Sequence, residues 1–361
     1  MGRRTILLMI VGAGLVAVSS YHALSGVTPV QRQPQIEPLR VSDDMRQVRF
    51  MPVATTSLTG TADQKLHDWY VNERGMVFAV FKAAAVGYLM RVFSPDGALI
   101  AEFDCAGSIW QPPVRIEHIA ADRDGHIYAA VEWSMEQSGI IIVDRRGKLV
   151  SKLALSEFKP LTIAVDRRKR VWVAGWEVTL AGPGGYPTEG PDAEQIRIYD
   201  ERLNLVDIPV RGVRRAGGVS WIGAVGHEVM YYGVGVNEMF IFRDGELVQR
   251  LKVGGVPGLP LPEEARWREV QLRRGIKGVW KVGDWVVLGG FYTYRWREED
   301  TRRRAGRNFI VLIDPEAGAI SPEIGAPRGS LTRSGFSEGL IYLSWDGEKE
   351  EYRLTRMRLA F

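Results

Sequence analysis

From about residue 46 to its end, the chain alternates apolar and polar positions in short runs separated by turn-forming residues. Alternation with a period of two predicts half-buried strands, and almost nothing carries the 3.6-residue period of a helix. The runs recur in a fixed order. A polar turn followed by an apolar strand reads NERGMVFAVF at 72–81, ADRDGHIYAAV at 121–131 and VDRRKRVWVA at 165–174. Weaker copies are VGHEVMYYG at 225–233, VGDWVVLGG at 282–290 and SEGLIYLSW at 337–345. With strand starts at Met76, Ile127, Val171, Val229, Trp285 and Leu340, six units follow one another at spacings of 44 to 58 residues.

A second element lies between these copies: strand, acidic turn, strand. It reads LMRVFSPDGALIAEF at 89–103 and IIIVDRRGKLVSKL at 140–153, and returns at 196–208, 239–251 and 309–324. Asp-Gly and related turns join antiparallel neighbours, because glycine accepts a positive φ without a Cβ clash. Each unit therefore holds four antiparallel strands, and four-strand units at this period predict an all-β, six-bladed β-propeller. The stretches IEHIAADRDGHIYAAV and LTIAVDRRKRVWVAG resemble the NHL-type six-bladed propeller repeat, with its apolar inner strand, Asp, Gly-containing turn and strand ending in small residues. Two of the six units match well. Where that family often places a further Asp, this chain has Val131 and Gly175. The resemblance implies the fold over residues 46–361 and no activity.

The sixth unit ends at Phe361 without an outer strand. A blade left one strand short exposes unpaired backbone groups. The stretch RQVRFMPVATTSL at 46–58 is the natural donor, so an N-terminal strand is expected to pair with the strand around 351–359 and close the ring. Ahead of it, residues 26–45 are rich in Pro, Gln and charge and read as a linker. Residues 1–25 carry Arg3 and Arg4 and then an apolar run over 5–18, too short for a ~20-residue membrane span. They read as a secretory signal peptide or an N-terminal anchor, which gives a periplasmic or extracellular address. Membrane contact is expected only through an uncleaved anchor.

Chain direction sorts the connections onto two faces. One face receives only tight turns. The other receives the stretches 131–139, 175–195, 290–307 and 254–268, which read as long irregular loops. Binding usually resides in such loops on a rigid scaffold. They carry Trp133, Trp176, Tyr186, Tyr292, Tyr294 and Trp296, with Glu132, Glu177 and Arg297 beside them. Aromatic faces with polar neighbours suit a carbohydrate, peptide or protein partner. The candidate ligand-binding set is Trp133, Trp176, Glu177, Tyr292, Tyr294 and Trp296, with inter-blade packing as the other role open to these rings.

The remaining composition narrows the chemistry. A net charge of +4 over 361 residues gives no case for nucleic acid. The basic stretches at 210–218, 267–278 and 301–307 read as solvated surface. Cys105 is the single cysteine, so no internal disulfide forms, and it reads as a small buried side chain. No cofactor motif stands out, and a monomer is expected. The first reading is a non-catalytic exported binding or interaction module. The alternative is a propeller enzyme, such as a lactonase-like metal-dependent hydrolase or a lyase. A hard cation needs several oxygen ligands from the inner strands. The inner-strand beginnings supply only Asp68 and Glu117 as carboxylates, with Lys277 and Arg333 opposing a cation, so no metal site is expected. His118 beside Glu117 is the one pair with catalytic potential there. Asp122 and Asp166 read as turn formers. The signal-peptide reading predicts that the exported protein begins near residue 20 or 26. N-terminal sequencing of periplasmic or secreted material checks this, and full-length protein in the cytosol would contradict it.

Overall fold

Four-stranded antiparallel sheets follow one another six times around a ring. The computed structural model describes residues 34–42, 45, 48–58, 65–83, 87–105, 115–133, 137–180, 187–213, 220–254, 270–296, 304–326, 330–331, 333–334, 339–346 and 348–360. The expected signal peptide and the first part of the expected linker lie outside the described residues. Blade 1 comprises Lys65–Val71, Val77–Ala83, Gly87–Phe93 and Leu99–Asp104. Blade 2 comprises Arg115–Ala121, Ile127–Glu132, Ser138–Val143 and Leu149–Leu155. Blade 3 comprises Phe158–Val165, Val171–Leu180, Pro187–Tyr199 and Leu205–Val213. Blade 4 holds Trp221–Val225, Glu228–Gly233, Glu238–Arg243 and Glu246–Lys252. Blade 5 holds Val270–Val282, Trp285–Trp296, Arg304–Asp314 and Ala319–Ile320.

Blade 6 is assembled from both ends of the propeller. Ser330–Leu331, Leu340–Asp346 and Glu351–Ala360 are joined by Arg49–Leu58, which pairs antiparallel with Glu351–Ala360 from Tyr352↔Leu58 to Ala360↔Arg49. Arg333–Ser334 pairs parallel with Tyr70 and Val71 of blade 1, which ties blade 6 to blade 1. Residues inside the stretch read as a linker also add strands. Ile36–Pro38 runs parallel along the outer strand of blade 4, and Arg40–Val41 along that of blade 5. Both cover sheet edges that would otherwise present unpaired N–H and C=O groups.

Burial explains the sequence pattern. The middle strands are sandwiched between neighbouring blades, so Ser138–Val143 is buried at every position and Ile127–Glu132 at nearly every one. The outer strands alternate, as Leu149–Leu155 does. The cores are therefore inter-blade layers. Trp172 of blade 3 meets Phe242 of blade 4 at 5.1 Å between ring centroids, and Phe81 of blade 1 meets Tyr352 of blade 6 at 5.9 Å.

The repeat at 121–131 and 165–174 has one physical cause. Asp122 Oδ1 accepts the backbone N–H groups of Asp124 and His126, and its Oδ2 accepts the Tyr128 hydroxyl at 3.2 Å. In blade 3, Asp166 Oδ1 accepts from Arg168 and Arg170, and its Oδ2 from Trp172 Nε1 at 3.0 Å. Asn72 holds the matching turn of blade 1 by accepting from Arg74 and Met76. Each side chain replaces a missing turn of backbone hydrogen bonding.

The inner strands are knit to one another by a different device. Each of those in blades 1, 2, 3 and 5 carries a bulge, at Leu66/Asp68, Ile116/His118, Pro160/Thr162 and Ile276/Gly278. Asp68 Oδ2 accepts Ile119 N–H at 2.9 Å, and His118 Nδ1 accepts Ile163 N–H at 3.2 Å. Thr162 Oγ1 donates to Ser220 O at 3.3 Å, and Trp221 Nε1 donates to Ile276 O at 2.7 Å. Blades 1 to 4 each thus reach the next in the same rotational sense.

Leu58, on the N-terminal strand, is fully buried in the layer between blades 6 and 1, whereas Val53 on the same strand is 63% exposed. Leu58→Ala should therefore cost about 2–5 kcal/mol in chemical denaturation, and Val53→Ala about 0.5 kcal/mol or less. Equal effects would show that this strand contributes no packing to the ring.

Candidate functional site

The two ends of the ring differ in chemistry. On the tight-turn end, the turns bind one another. Arg167 N–H donates to Gly226 O at 2.8 Å, Gly226 N–H donates to Glu73 Oε1 at 3.2 Å, and Asn72 Nδ2 donates to Asp122 O at 2.8 Å. Lys169 Nζ pairs with Asp124 at 2.9 Å. A cavity of about 250 Å³ lies at these turns, but its Asp122 and Asp166 carboxylates are engaged in their own turns.

On the opposite end, the stretches expected as irregular loops at 175–195 and 290–307 are extended hairpins. Val178↔Glu189 and Leu180↔Pro187 continue blade 3 outward, and Tyr292↔Arg307 to Arg295↔Arg304 continue blade 5. The alternating side chains of YTYRW suit a strand, and the length of the segment disguised this.

Charged groups gather on this end in two places. In blades 2 and 3, Arg115 Nε lies 3.0 Å from Glu117 Oε1 and its Nη1 lies 3.7 Å from Glu132 Oε2. Lys159 Nζ binds Glu132 Oε1 at 2.9 Å and sits 5.9 Å from the Trp176 ring centroid. Burial pushes the Glu117 carboxyl above its usual range against the pull of Arg115, and neighbouring Glu132 pushes it further. In blade 5, Arg274 Nε donates to Glu323 Oε1 at 2.7 Å, and Tyr292 donates its hydroxyl to Glu323 Oε2. The Glu323 side chain is 1% exposed and that of Arg274 is 42% exposed. Burial and Glu323 together push the Tyr292 hydroxyl up to about 12. A cavity of about 310 Å³ opens beside this triad, between blades 4 and 5.

The aromatic set of the sequence analysis is distributed around the ring. Trp133 is buried in blade 2, its ring atoms 2.6 Å from where a Cβ on Gly139 would lie, with Lys152 Nζ 4.6 Å from its centroid. Only glycine at 139 lets this ring lie so close to the strand. Trp176 is buried against Leu161 and Val178. Tyr292 is buried 5.1 Å from Phe309. Glu177 is exposed and accepts Gln195 Nε2 at 3.1 Å. Tyr294 and Trp296 end the second strand of blade 5, and their side chains lie outside the described residues, as does Tyr186. The structure thus places Tyr292 at the Arg274–Glu323 pair and Trp176 at Lys159. Arg274, Glu323, Tyr232 and Asn237 escaped the sequence reading, because Arg274 and Glu323 are 49 residues apart and Arg274 sits in a run that reads as solvated base.

At the channel, Asp68 and His118 are engaged in the inter-blade bonds. With its Nδ1 accepting, neutral His118 carries its proton on Nε2, which is buried without a hydrogen-bond partner in the described structure. Burial lowers the Lys277 ammonium, whose Nζ lies 4.8 Å from the Phe291 centroid. Among the described residues no group of three or more His, Cys, Asp or Glu is arranged to hold a metal ion. Cys105 is buried and its thiol is pushed up to about 12, chiefly by burial.

No protein-family model matches the sequence, and no curated protein is significantly similar to it. Solved structures are similar in fold. A Bacteroides fragilis protein described as a "Putative exported protein" is 10% identical, with a TM-score of 0.54 over 91% of this chain and 100% of that one. A protein of unknown function from Dyadobacter fermentans is 11% identical, with a TM-score of 0.50 over 87% and 99%. A gluconolactonase from Xanthomonas campestris is 13% identical, with a TM-score of 0.44 over 91% and 99%. At such identities the likeness is one of fold, the six-bladed β-propeller.

Glu194, opposite Trp176 in blade 3, is buried, and its Oε1 has no hydrogen-bond partner in the described structure. Burial raises its carboxyl above the ordinary value of 4.5, and the Ser220 and Tyr231 hydroxyls offset only part of this. A raised carboxyl favours the folded state fully below 4.5 and loses that contribution as pH rises through the folded value. Glu194→Gln should therefore melt like the parent in acid and above it at neutral pH. Parallel melting curves at every pH would contradict a carboxyl raised by burial.

Proposed function

We propose that this chain is an exported, non-catalytic, NHL-like propeller that binds a carbohydrate, peptide or protein partner on its long-hairpin end. One observation carries the reading: the turns of the tight-turn end are tied to one another, while Lys159 and Arg274 stand partly accessible beside Trp176 and Tyr292 at the opposite end. A rigid scaffold with converging polar groups over apolar walls is what small-ligand and peptide sites require. The inner-strand groups that a propeller enzyme would use, Asp68 and His118, are engaged by the next blade instead. Export is supported by the N-terminal sequence and by the description of the Bacteroides fragilis relative in fold. One observation favours the alternative of a propeller enzyme: Glu117 and Glu132 lie together, with Glu117 raised toward the protonated form, as an acid–base pair would need.

The test is a glycan array and a phage-displayed peptide library screened with the mature protein. Binders should lose affinity tenfold or more on Lys159→Ala or Glu177→Ala, and keep it on Arg146→Ala or Asp244→Ala at the tight-turn end. Binders that respond only to the second pair would overturn the assignment of the binding end.

A further inference from the structure

We propose that the cavity between blades 4 and 5 is a site for one small uncharged polyhydroxylated ring, a monosaccharide-sized neutral sugar. The inference rests on the hairpin end being the binding end, and it names the place and the ligand class.

The cavity measures about 310 Å³, at the lower limit of ~300–1,000 Å³ for small-molecule pockets, so it suits one ring and not an extended chain. Its apolar wall is Val253, Ile276, Leu288 and Val311, which offers a surface for the C–H face of a sugar. Its polar rim is a mixture of donors and acceptor. Arg274 is anchored through Nε and Nη2 to Glu323, which leaves Nη1 to donate. Tyr232 donates its hydroxyl to Asn237 Oδ1 at 3.0 Å, which leaves Asn237 Nδ2 to donate and the Tyr232 oxygen to accept. Hydroxyl groups both give and take hydrogen bonds, and they match such a rim.

Charge selects the class. The lining carries one cation, Arg274, and one anion, Glu323. Glu323 is buried, and both of its oxygens already hold Arg274 and Tyr292. The guanidinium is therefore neutralised within the protein, so an anionic ligand would meet a paired arginine and a fixed carboxylate. A neutral ligand meets no such opposition. Glu323 and Tyr292 are positioning groups here: they fix the guanidinium, and Arg274 and Asn237 touch the ligand.

The experiment titrates the mature protein by calorimetry with D-glucose, D-galactose, D-mannose and N-acetyl-D-glucosamine, and with D-glucuronate as the charged counterpart. Concentrations up to ~20 mM reach well past a ~1 mM dissociation constant. At least one neutral sugar should bind at 1 mM or tighter, on the order of tenfold better than glucuronate. Asn237→Gly suits the backbone φ of 53° at that position and removes only the amide. Arg274→Gln combined with Glu323→Gln keeps the cavity neutral. Each should weaken binding tenfold or more, with the circular dichroism spectrum and melting temperature checked, and Arg146→Ala at the tight-turn end should leave it unchanged. Preference for glucuronate, unchanged binding in both cavity variants, or no binding by any neutral sugar would overturn the inference. A library binder that maps to Lys159 and Glu177, with no sugar bound at the cavity, would leave the binding function standing while this site falls.

Discussion

Six sheets arranged around an axis can share little backbone ladder, because their inner strands splay apart. Every buried N–H and C=O along those strands still needs a partner. Here the next blade's backbone is met by a side chain: Asp68 reaches Ile119, His118 reaches Ile163, Thr162 reaches Ser220 and Trp221 reaches Ile276. In three of these four the bonding residue follows a bulge, and an extra residue in a strand re-aims the side chain after it. The last junction uses backbone instead, where Arg333–Ser334 pairs with blade 1. Ring integrity thus depends on polar residues at the channel, and those residues cannot be exchanged freely for ligand-binding ones.

That constraint moves the binding chemistry outward. Among the described residues, accessible groups with hydrogen-bonding capacity to spare stand between blades, as Arg274 and Asn237 do. Arg274 is partly exposed, while its partner Glu323, from the segment after the outer strand of blade 5, is buried. The same segment returns to pair Ile324–Ala326 with Asn308–Ile310, so the carboxylate is held by backbone ladder on the side where the guanidinium arrives. A carboxylate that accepts from both Arg274 and Tyr292 loses little freedom on binding a ligand, which is the advantage of a preorganised site.

Much of this fold is legible in the sequence because its turns are chemical. An Asp that accepts two backbone N–H groups and an aromatic donor six residues later leaves the same spelling at 122–128 and at 166–172. Burial of the middle strands on both faces leaves continuous apolar runs such as Ile140–Val143. Other features leave no local trace. The parallel strands at 36–38 and 40–41 gain their hydrogen bonds from blades 4 and 5, more than 200 residues away; three of their five residues are Pro or charged, and all five are exposed. The hairpins of blades 3 and 5 read as loops because Gly, Pro and charge interrupt the apolar alternation in AGPGGYPTEGPDAEQ and REEDTRRRAGR. The aromatic signal pointed to the correct strand in the case of Tyr292, yet the groups that give the ring its setting, Arg274 and Glu323, are ordinary surface residues in sequence and become a pair only through the sheet.

The asymmetry between the two ends follows from the same geometry. Turns that connect an inner strand to its neighbour lie close to the axis, so on the end where all such turns fall they meet one another, as Arg167, Gly226 and Glu73 do. Connections on the other end lie farther from the axis and can lengthen without collision. Insertions are tolerated there because they disturb neither the inner bonds nor the inter-blade layers, and loop length itself costs little entropy. A propeller therefore acquires recognition surface at one end while the other remains a fixed base, and in this chain the lengthened blades 3 and 5 flank blade 4, whose connection at 234–237 is short. The short connection is what leaves room for the cavity beside Tyr232 and Asn237: a long hairpin on blade 4 would lie across it.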